Sequence, residues 1–332
     1  MNSLKIHQNQ PIAPWKKILR TNFTQVEKLL SYLELDEETK GKVLNKPSFS
    51  LNLPIRLAEK IQKNNLNDPI LKQFLPTLDE TIITSGFVTD PVGDSNCRSA
   101  PKMLHKYEGR VLLVTTSACA MHCRYCFRQN FDYETSSGFL FVDELKLIEK
   151  DESIHEVILS GGDPLSLSNE VLQNLIQQLE KMPHVRRLRF HTRFPVGIPE
   201  RIDYDLLKLF DNCHMQIWFV LHINHPNELD VEIFAKLKQV QKTGAIVLNQ
   251  SVLLNGINDD IDTLVKLSEM LVDRGILPYY LHQLDKVQGA CHFEVSEEKG
   301  RQLIKEISKK LPGYGVPKYV REIEGKPNKV NL

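Results

Sequence analysis

The stretch that decides the fold is Val111-Leu-Leu-Val-Thr-Thr-Ser-Ala-Cys119-Ala-Met-His-Cys123-Arg-Tyr-Cys126. Its first half is apolar and β-branched, which is typical of a buried strand. Its second half places three cysteines on the loop that follows. Thiolates are the usual ligands of iron–sulfur clusters, and three of them leave one iron of a four-iron cluster without a protein ligand. The pattern predicts a [4Fe-4S] cluster on Cys119, Cys123 and Cys126 whose open iron binds a small molecule.

A zinc site is the alternative interpretation of clustered cysteines. Structural zinc is closed by four ligands, usually arranged as two pairs. The other cysteines, Cys97, Cys213 and Cys291, are scattered singly, and His122 lies inside the loop itself. Because no second pair exists in the sequence, the spacing favours iron over zinc. We expect the scattered cysteines to be ordinary thiols.

The composition suits a cytoplasmic enzyme. Lys plus Arg and Asp plus Glu both number 42 in the 332 residues, so no basic excess indicates nucleic acid as a partner. The first twenty residues hold no apolar signal core, and no apolar run is long enough to span a membrane. Six cysteines, three of them clustered, do not resemble a secreted disulfide framework. We therefore expect a reducing compartment and neither a nucleic-acid nor a membrane partner.

From Val111 onward, strand-like and helix-like runs alternate along the chain. The predicted strands cover 111–116, 156–160, 187–192, 215–223, 245–253 and 278–283. The predicted helices cover 168–181, 228–242, 259–273 and 294–310. Alternation of this kind predicts parallel βαβ units and an α/β fold. Six units without a dinucleotide fingerprint favour a partial (β/α)6 TIM-like barrel, while periodicity alone leaves a Rossmann sheet open.

The residues before this array show predicted helices and no alternating strands. Thr24-Gln-Val-Glu27 fits a capping box that opens an amphipathic helix. Proline positions predict a second helix from Pro54 and a third over 70–75, which Pro76 ends. The predicted organisation is a helical N-terminal region over 1–105, a core over 106–311 and a C-terminal segment over 312–332.

Polar residues gather where the predicted strands end. This is the rim at which barrel enzymes carry their functional side chains. After the cysteines, the rim carries Gly161-Gly162-Asp163-Pro164, His191-Thr192-Arg193, His222 with His225, Asn249-Gln250-Ser251, and His282 with Gln283 and Asp285. Each alone fits a tight turn or a hydrogen-bonded core residue. Together, on successive strands, they indicate an active site at this rim.

These motifs carry a resemblance to a known family. Cys-x3-Cys-x2-Cys after the first strand, with a Gly-Gly-acid turn after the second, resembles the radical S-adenosylmethionine superfamily. Nearly the whole chain resembles the lysine 2,3-aminomutases, through the segments 105–110, 126–128, 160–164, 225–228, 249–254, 312–317 and 325–329. The chain stops three residues after Lys329, without the cysteine-containing tail of the catabolic enzymes. It is therefore most similar to the short branch that makes β-lysine for elongation factor P.

The resemblance implies an isomerase that converts L-lysine to (R)-β-lysine. It implies three cofactors: a [4Fe-4S] cluster, S-adenosylmethionine and pyridoxal phosphate. It also implies an electron donor of the flavodoxin or ferredoxin type and a functional link to elongation factor P and its lysyl ligase, and it admits a homo-oligomer. A catabolic lysine or glutamate 2,3-aminomutase is the alternative enzyme, and a non-enzymatic metal-binding module is the alternative class.

The resemblance also assigns the cofactor sites. Lys329 matches the lysine that holds pyridoxal phosphate, although composition alone describes it as a tail residue and Lys326 is a rival. Arg110 is the first choice for the cofactor's phosphate and Lys106 the second, with Tyr107 between them. Their spacing places Lys106 and Arg110 on one side only if 105–110 is a turn or a helix. The residues implied for S-adenosylmethionine are Gly161, Gly162, Asp163, His222 and Gln250.

Substrate recognition follows from charge. The resemblance pairs Arg128 with the substrate carboxylate, a task for which a bidentate guanidinium is better suited than an ammonium. It pairs Asp285, and Glu322 as a second acid, with the distal ammonium of lysine. Two acids at the far end of the pocket favour lysine over glutamate, because an unpaired buried charge is heavily penalised.

Overall fold

A computed structural model of the chain describes residues 13–134 and 141–332. Its α-helices are α1 Pro14–Leu19, α2 Val26–Tyr32, α3 Glu37–Lys40, α4 Ile55–Glu59, α5 Leu71–Phe74, α6 Val142–Lys150, α7 Asn169–Leu179, α8 Phe194–Gly197, α9 Tyr204–Asp211, α10 Val231–Lys242, α11 Ile261–Val272 and α12 Glu297–Ile307. Its strands are β1 Arg98–Ala100, β2 Met103–Tyr107, β3 Arg110–Thr116, β4 Glu156–Gly161, β5 Arg187–Thr192, β6 Gln216–His222, β7 Ile246–Val252, β8 Leu277–His282, β9 Lys318–Arg321 and β10 Val330–Asn331.

The ten strands form one sheet whose spatial order is the chain order. Neighbours from β3 to β9 are parallel, and antiparallel pairs extend the sheet at both ends. A Rossmann sheet reverses its strand order part-way, so this sequential order belongs to a barrel-type fold. The prediction of an α/β fold with a partial barrel is confirmed.

The six predicted strands coincide with β3–β8 to within one residue at each end. The parallel array has a seventh strand, however, because β9 pairs with β8. Periodicity missed β9 because four residues are too few to show alternation. The predicted boundary after residue 105 falls inside β2, and the segment from residue 312 supplies β9 and β10.

The N-terminal part consists of short helices and turns. The second and third predicted helices correspond to α4 and α5, and Pro54 is the N-cap residue of α4. The predicted capping box was wrong: α2 begins at Val26, and its N-cap residue, Gln25, makes no side-chain cap. The reason is tertiary, since Phe23 donates its backbone N–H to Leu53 O at 2.9 Å. This bridge keeps the chain extended immediately before the helix.

The two faces of the parallel strands have different neighbours. Outward side chains such as Leu159, Phe190 and Phe219 are fully buried in the main hydrophobic core. Inward side chains such as Arg189 and His191 line a central cavity. Barrel strands of this kind bury their outer face in the core, which leaves the strand ends and the lumen for polar groups. In the described part of the chain, no helix is both long and apolar enough to cross a membrane.

Candidate active site

A cavity of about 670 Å³ occupies the lumen and the C-terminal rim of the parallel strands. Every residue to which the sequence assigned a cofactor or substrate role lines it: Lys106, Tyr107, Arg110, Cys119, Cys123, Cys126, Arg128, Gly161, Gly162, Asp163, His222, Gln250, Asp285, Glu322 and Lys329. Residues more than two hundred positions apart in the chain thus line the same cavity. Their individual roles stay predictions.

The cysteine loop is held in place by the N-terminal part. The side chain of Asn52 donates to Cys119 O at 3.1 Å, and His122 N donates to Asn52 O at 2.9 Å. The guanidinium of Arg124, 1% exposed, forms an ion pair with Glu80. These contacts set the loop conformation from outside the barrel.

The three cysteines fit an iron–sulfur cluster. Burial raises the pKa of Cys119 well above its ordinary value, and the nearby Asp163, Cys126 and Cys123 raise it further. Burial likewise raises the pKa of Cys126 to about 11. Thiolates in this position therefore need a cation beside them. No three His, Cys, Asp or Glu side chains within 13–134 and 141–332 converge as closely as a single metal ion requires.

Arg193 lies behind the cysteine loop. Its guanidinium donates to Cys123 Sγ at 2.8 Å and to Glu228 at 2.7 Å, and it is buried. The sequence placed Arg193 at the rim without a role. Only the packing of residues from four distant segments, including Gln73 and Tyr125, reveals this network.

The glycine turn after β4 touches the cysteine loop through its backbone. Gly161 has φ +113°, a conformation that favours glycine, and a Cβ on Gly162 would lie 2.8 Å from the backbone of Ser117. Gly162 N donates to Thr116 O at 2.6 Å, and Asp163 N donates to the backbone of the cysteine loop at 2.8 Å. The turn's N–H groups at these two positions are thus already used, and Asp163 O accepts from Ser166 N at 2.9 Å. The carbonyls of Gly161 and Gly162 are therefore what the turn can offer a ligand.

The side chain of Asp163 stabilises the rim through hydrogen bonds. Its buried carboxylate accepts hydrogen bonds from Thr192 Oγ1 at 2.8 Å and from the backbone N–H groups of Leu165, Arg193 and Phe194. These donors tie the turn after β4 to the end of β5. The side chain therefore positions the turn, and any contact with a ligand comes from the neighbouring backbone.

His222 and Gln250 lie on adjacent strands, in register with each other. Burial, with Arg193 and His282 nearby, lowers the pKa of His222 well below its ordinary value. Its Nε2 lies 2.9 Å from Tyr125 Oη. A neutral imidazole and an amide side by side can hydrogen-bond the polar edge of a ligand.

A chain of alternating charges crosses the cavity. Asp94, 2% exposed, lies between Arg128 Nε at 2.8 Å and Lys106 Nζ at 2.6 Å. Lys106 contacts Glu322 at 2.9 Å, and Glu322 forms an ion pair with Lys329. Burial alone would raise the pKa of Glu322, but Lys329 and Lys106 outweigh it and lower that pKa to about 2. The sequence had no signal for Asp94, which lies on an irregular loop.

This pairing changes the expectations for two residues. The range 105–110 contains a turn at Glu108 and Gly109, with Lys106 in β2 before it and Arg110 at the start of β3 after it. Lys106 forms ion pairs with two carboxylates. Arg110 stacks on the Tyr107 ring at 4.6 Å, and no carboxylate in the described segments pairs with it. Of the two phosphate candidates, Arg110 is therefore the one with free donors.

Asp285 differs from Glu322. Burial raises the pKa of Asp285 to about 7, and no side-chain hydrogen bond to its carboxylate is present in the described ranges. A buried acid of this kind gains most from the arrival of a cation. It is a ready acceptor for an ammonium group.

Several rim residues serve the fold. The His225 side chain accepts from Asn227 N at 3.1 Å and caps a turn. Asn249 and Ser251 both bond Ile223 O. Gln283 donates to Val295 O at 2.7 Å. These residues have the hydrogen-bonded core role that is the ordinary interpretation for each taken singly.

Comparison with known proteins agrees with this geometry. Residues 107–192 match a family model described as a 4Fe-4S single cluster domain. The L-lysine 2,3-aminomutase of Escherichia coli K12 is 42% identical over 96% of this chain and 94% of its own length. This chain belongs to the lysine 2,3-aminomutase family. An L-lysine 2,3-aminomutase of Haemophilus influenzae is 43% identical over 95% of this chain and 94% of its own length.

More distant relatives have a longer chain. The L-lysine 2,3-aminomutase of Clostridium subterminale is 32% identical over 94% of this chain and 76% of its own length. A solved radical SAM methyltransferase from Sphaerobacter thermophilus matches with 17% identity and a TM-score of 0.46, covering 66% of this chain and 68% of that one. The predictions of the family, of an isomerase and of a 4Fe-4S cluster are confirmed.

Proposed function

We propose that this protein converts L-lysine to (R)-β-lysine by moving the amino group from C2 to C3. The observation that carries the proposal is one cavity in which the cysteine loop, Lys329 and Asp285 face a common space. When bound, the cluster supplies an electron to S-adenosylmethionine, and pyridoxal phosphate holds the migrating amino group. The protein supplies the positions of these partners and excludes water.

Each cofactor has residues suited to it. The cysteines would hold the cluster, and the carbonyls of Gly161 and Gly162 would accept from the ammonium of S-adenosylmethionine. His222 and Gln250 would contact its other polar groups. Lys329 would hold pyridoxal phosphate, with the free donors of Arg110 on the phosphate. Lys326, the rival of Lys329, is exposed on the tail.

The substrate would lie between opposite charges. Arg128 presents one edge of its guanidinium to Asp94 and Ser160, which orients the remaining donors for a carboxylate. Asp285 would receive the distal ammonium, and its carboxylate would become fully charged as that cation arrives. Glu322 becomes a second acceptor once Lys329 is engaged by the cofactor. A glutamate side chain would instead bring an anion against two acids, which opposes the glutamate aminomutase alternative.

The wider role is part of the proposal. Identity of 42% with a relative of nearly equal length, against 32% with the longer Clostridium enzyme, supports the short branch. We place the product in the modification of elongation factor P, through a lysyl ligase. We also propose a flavodoxin or ferredoxin-like electron donor, a cytoplasmic location and a homo-oligomer. Free cysteines suit a reducing compartment.

The test is anaerobic turnover of the full chain with free L-lysine, followed by chiral analysis of the product. We expect (R)-β-lysine, with iron and sulfide bound to the protein. If the reconstituted protein binds zinc in place of iron, or if it leaves lysine unchanged but converts glutamate, the proposed reaction is wrong.

Lys329→Ala tests the cofactor site. We expect it to abolish the absorbance of lysine-bound pyridoxal and to lower product formation more than a hundredfold, while iron content stays at the wild-type level. Lys326→Ala is the matched control, because it removes the same group three residues away in the exposed tail. Loss of the absorbance in Lys326→Ala alone would transfer the role to that residue.

A further inference from the structure

His191 has no role in the scheme above, yet it lines the same cavity. It belongs to the inward face of β5 and pairs in register with Val220 of β6. Its Nε2 is buried and has no hydrogen-bond partner in the described part of the chain. A buried polar atom left unpaired costs about 1–3 kcal/mol. Such an atom in a native site calls for a missing partner.

The surroundings of His191 define what that partner is. Burial lowers the pKa of His191 well below its ordinary value, and the nearby Arg189, Lys329 and Arg128 lower it further. The imidazole is therefore neutral, with one ring N–H to donate. Glu156 is engaged by Arg189 at 2.7 Å, so it does not serve His191. A neutral donor among cations is complementary to an anionic oxygen brought in by a ligand.

We propose that His191 is a further ligand-binding residue, whose ring N–H donates to an anionic oxygen seated between Arg128 and Lys329. The inference rests on the proposed function and deepens it. Two groups present such an oxygen there: the carboxylate of lysine and the ring oxygen of pyridoxal phosphate. A neutral donor adds direction to the cationic site without adding another buried charge.

Two substitutions in the full chain test the hydrogen bond. His191→Leu removes the nitrogen atoms, and His191→Gln restores an amide N–H near the position of Nε2. Two quantities are measured: the affinity of the cluster-loaded protein for pyridoxal phosphate without lysine, by absorbance titration, and the KM for lysine. If the carboxylate is the partner, His191→Leu raises KM at least tenfold and leaves the affinity for pyridoxal phosphate unchanged. If the ring oxygen is the partner, that affinity falls at least tenfold. In either case the affected quantity, KM or affinity, returns in His191→Gln to within about threefold of its wild-type value.

Trp218→Phe is the matched control. Trp218 also has a buried ring nitrogen without a partner in 13–134 and 141–332, and it lies on the same face of β6 as His222, four residues nearer the strand's start. We expect both quantities to stay at wild-type levels in this variant. The proposal is overturned if His191→Leu keeps both within twofold of wild type, or if His191→Gln is as impaired as His191→Leu. The titration needs no turnover, so failure of the proposed reaction would appear separately, in the wild type.

Discussion

At the scale of single residues, protonation decides how the cavity treats a cation. Glu322 is held ionised by two lysines, whereas the buried Asp285 titrates near pH 7. A group with a raised pKa keeps its proton up to that pKa and loses it above. An incoming ammonium must therefore bind the ionised form of Asp285, which predominates above pH 7.

Asp285→Asn tests this at the level of substrate binding. We expect the KM for lysine to rise at least tenfold, because the amide cannot neutralise the ammonium, while binding of S-adenosylmethionine is unchanged. In the wild type, KM should rise about tenfold for each pH unit below 7, since one proton competes with the ammonium. In the variant this pH dependence should vanish. Steady-state kinetics from pH 6 to 8 measure both, and equal loss of lysine and S-adenosylmethionine binding would show that Asp285 serves the fold.

At the scale of elements, the segment before β1 fixes the cysteine loop. Glu80 binds the buried guanidinium of Arg124, next to Cys123. Glu80→Gln would leave that charge unpaired, at a cost of about 3 kcal/mol. We expect a lower urea midpoint for the cluster-free protein and faster loss of iron on exposure to air.

An exposed ion pair supplies the control for this prediction. Glu38 pairs with Lys42 at 3.1 Å, and its side chain is 85% exposed. Glu38→Gln should leave the midpoint and the iron loss unchanged, because solvated pairs contribute little. If Glu80→Gln behaves like Glu38→Gln, the N-terminal part does not hold the loop.

At the scale of the whole molecule, the two ends of the parallel array carry different chemistry. The cysteine loop follows β3, while Glu322 and Lys329 lie between β9 and β10 at the far end of the sheet. A chain that ends after Arg321 keeps the strands from β1 to β9. We expect it to retain iron and to bind S-adenosylmethionine, seen as a change in the electron paramagnetic resonance of the reduced cluster, but to lose pyridoxal phosphate. Loss of iron as well would mean that the last residues support the whole barrel.

The sequence by itself determined strands β3–β8, the cysteine loop and the family. Burial on both faces of a parallel strand leaves a continuous apolar run, and the cluster's ligands are local in sequence, so both are visible without a structure. The start of α2 could not be predicted from the sequence, because the bridge between Phe23 and Leu53 overrode the local capping pattern. Tertiary structure alone decided that Asp94 and Glu322 pair with Lys106 and that Arg193 donates to Cys123. It also decided that His191 Nε2 has no partner among the residues that the structure describes. Those features depend on which side chains the curved sheet brings face to face. Residues far apart in the chain meet only when the strands are assembled around one lumen.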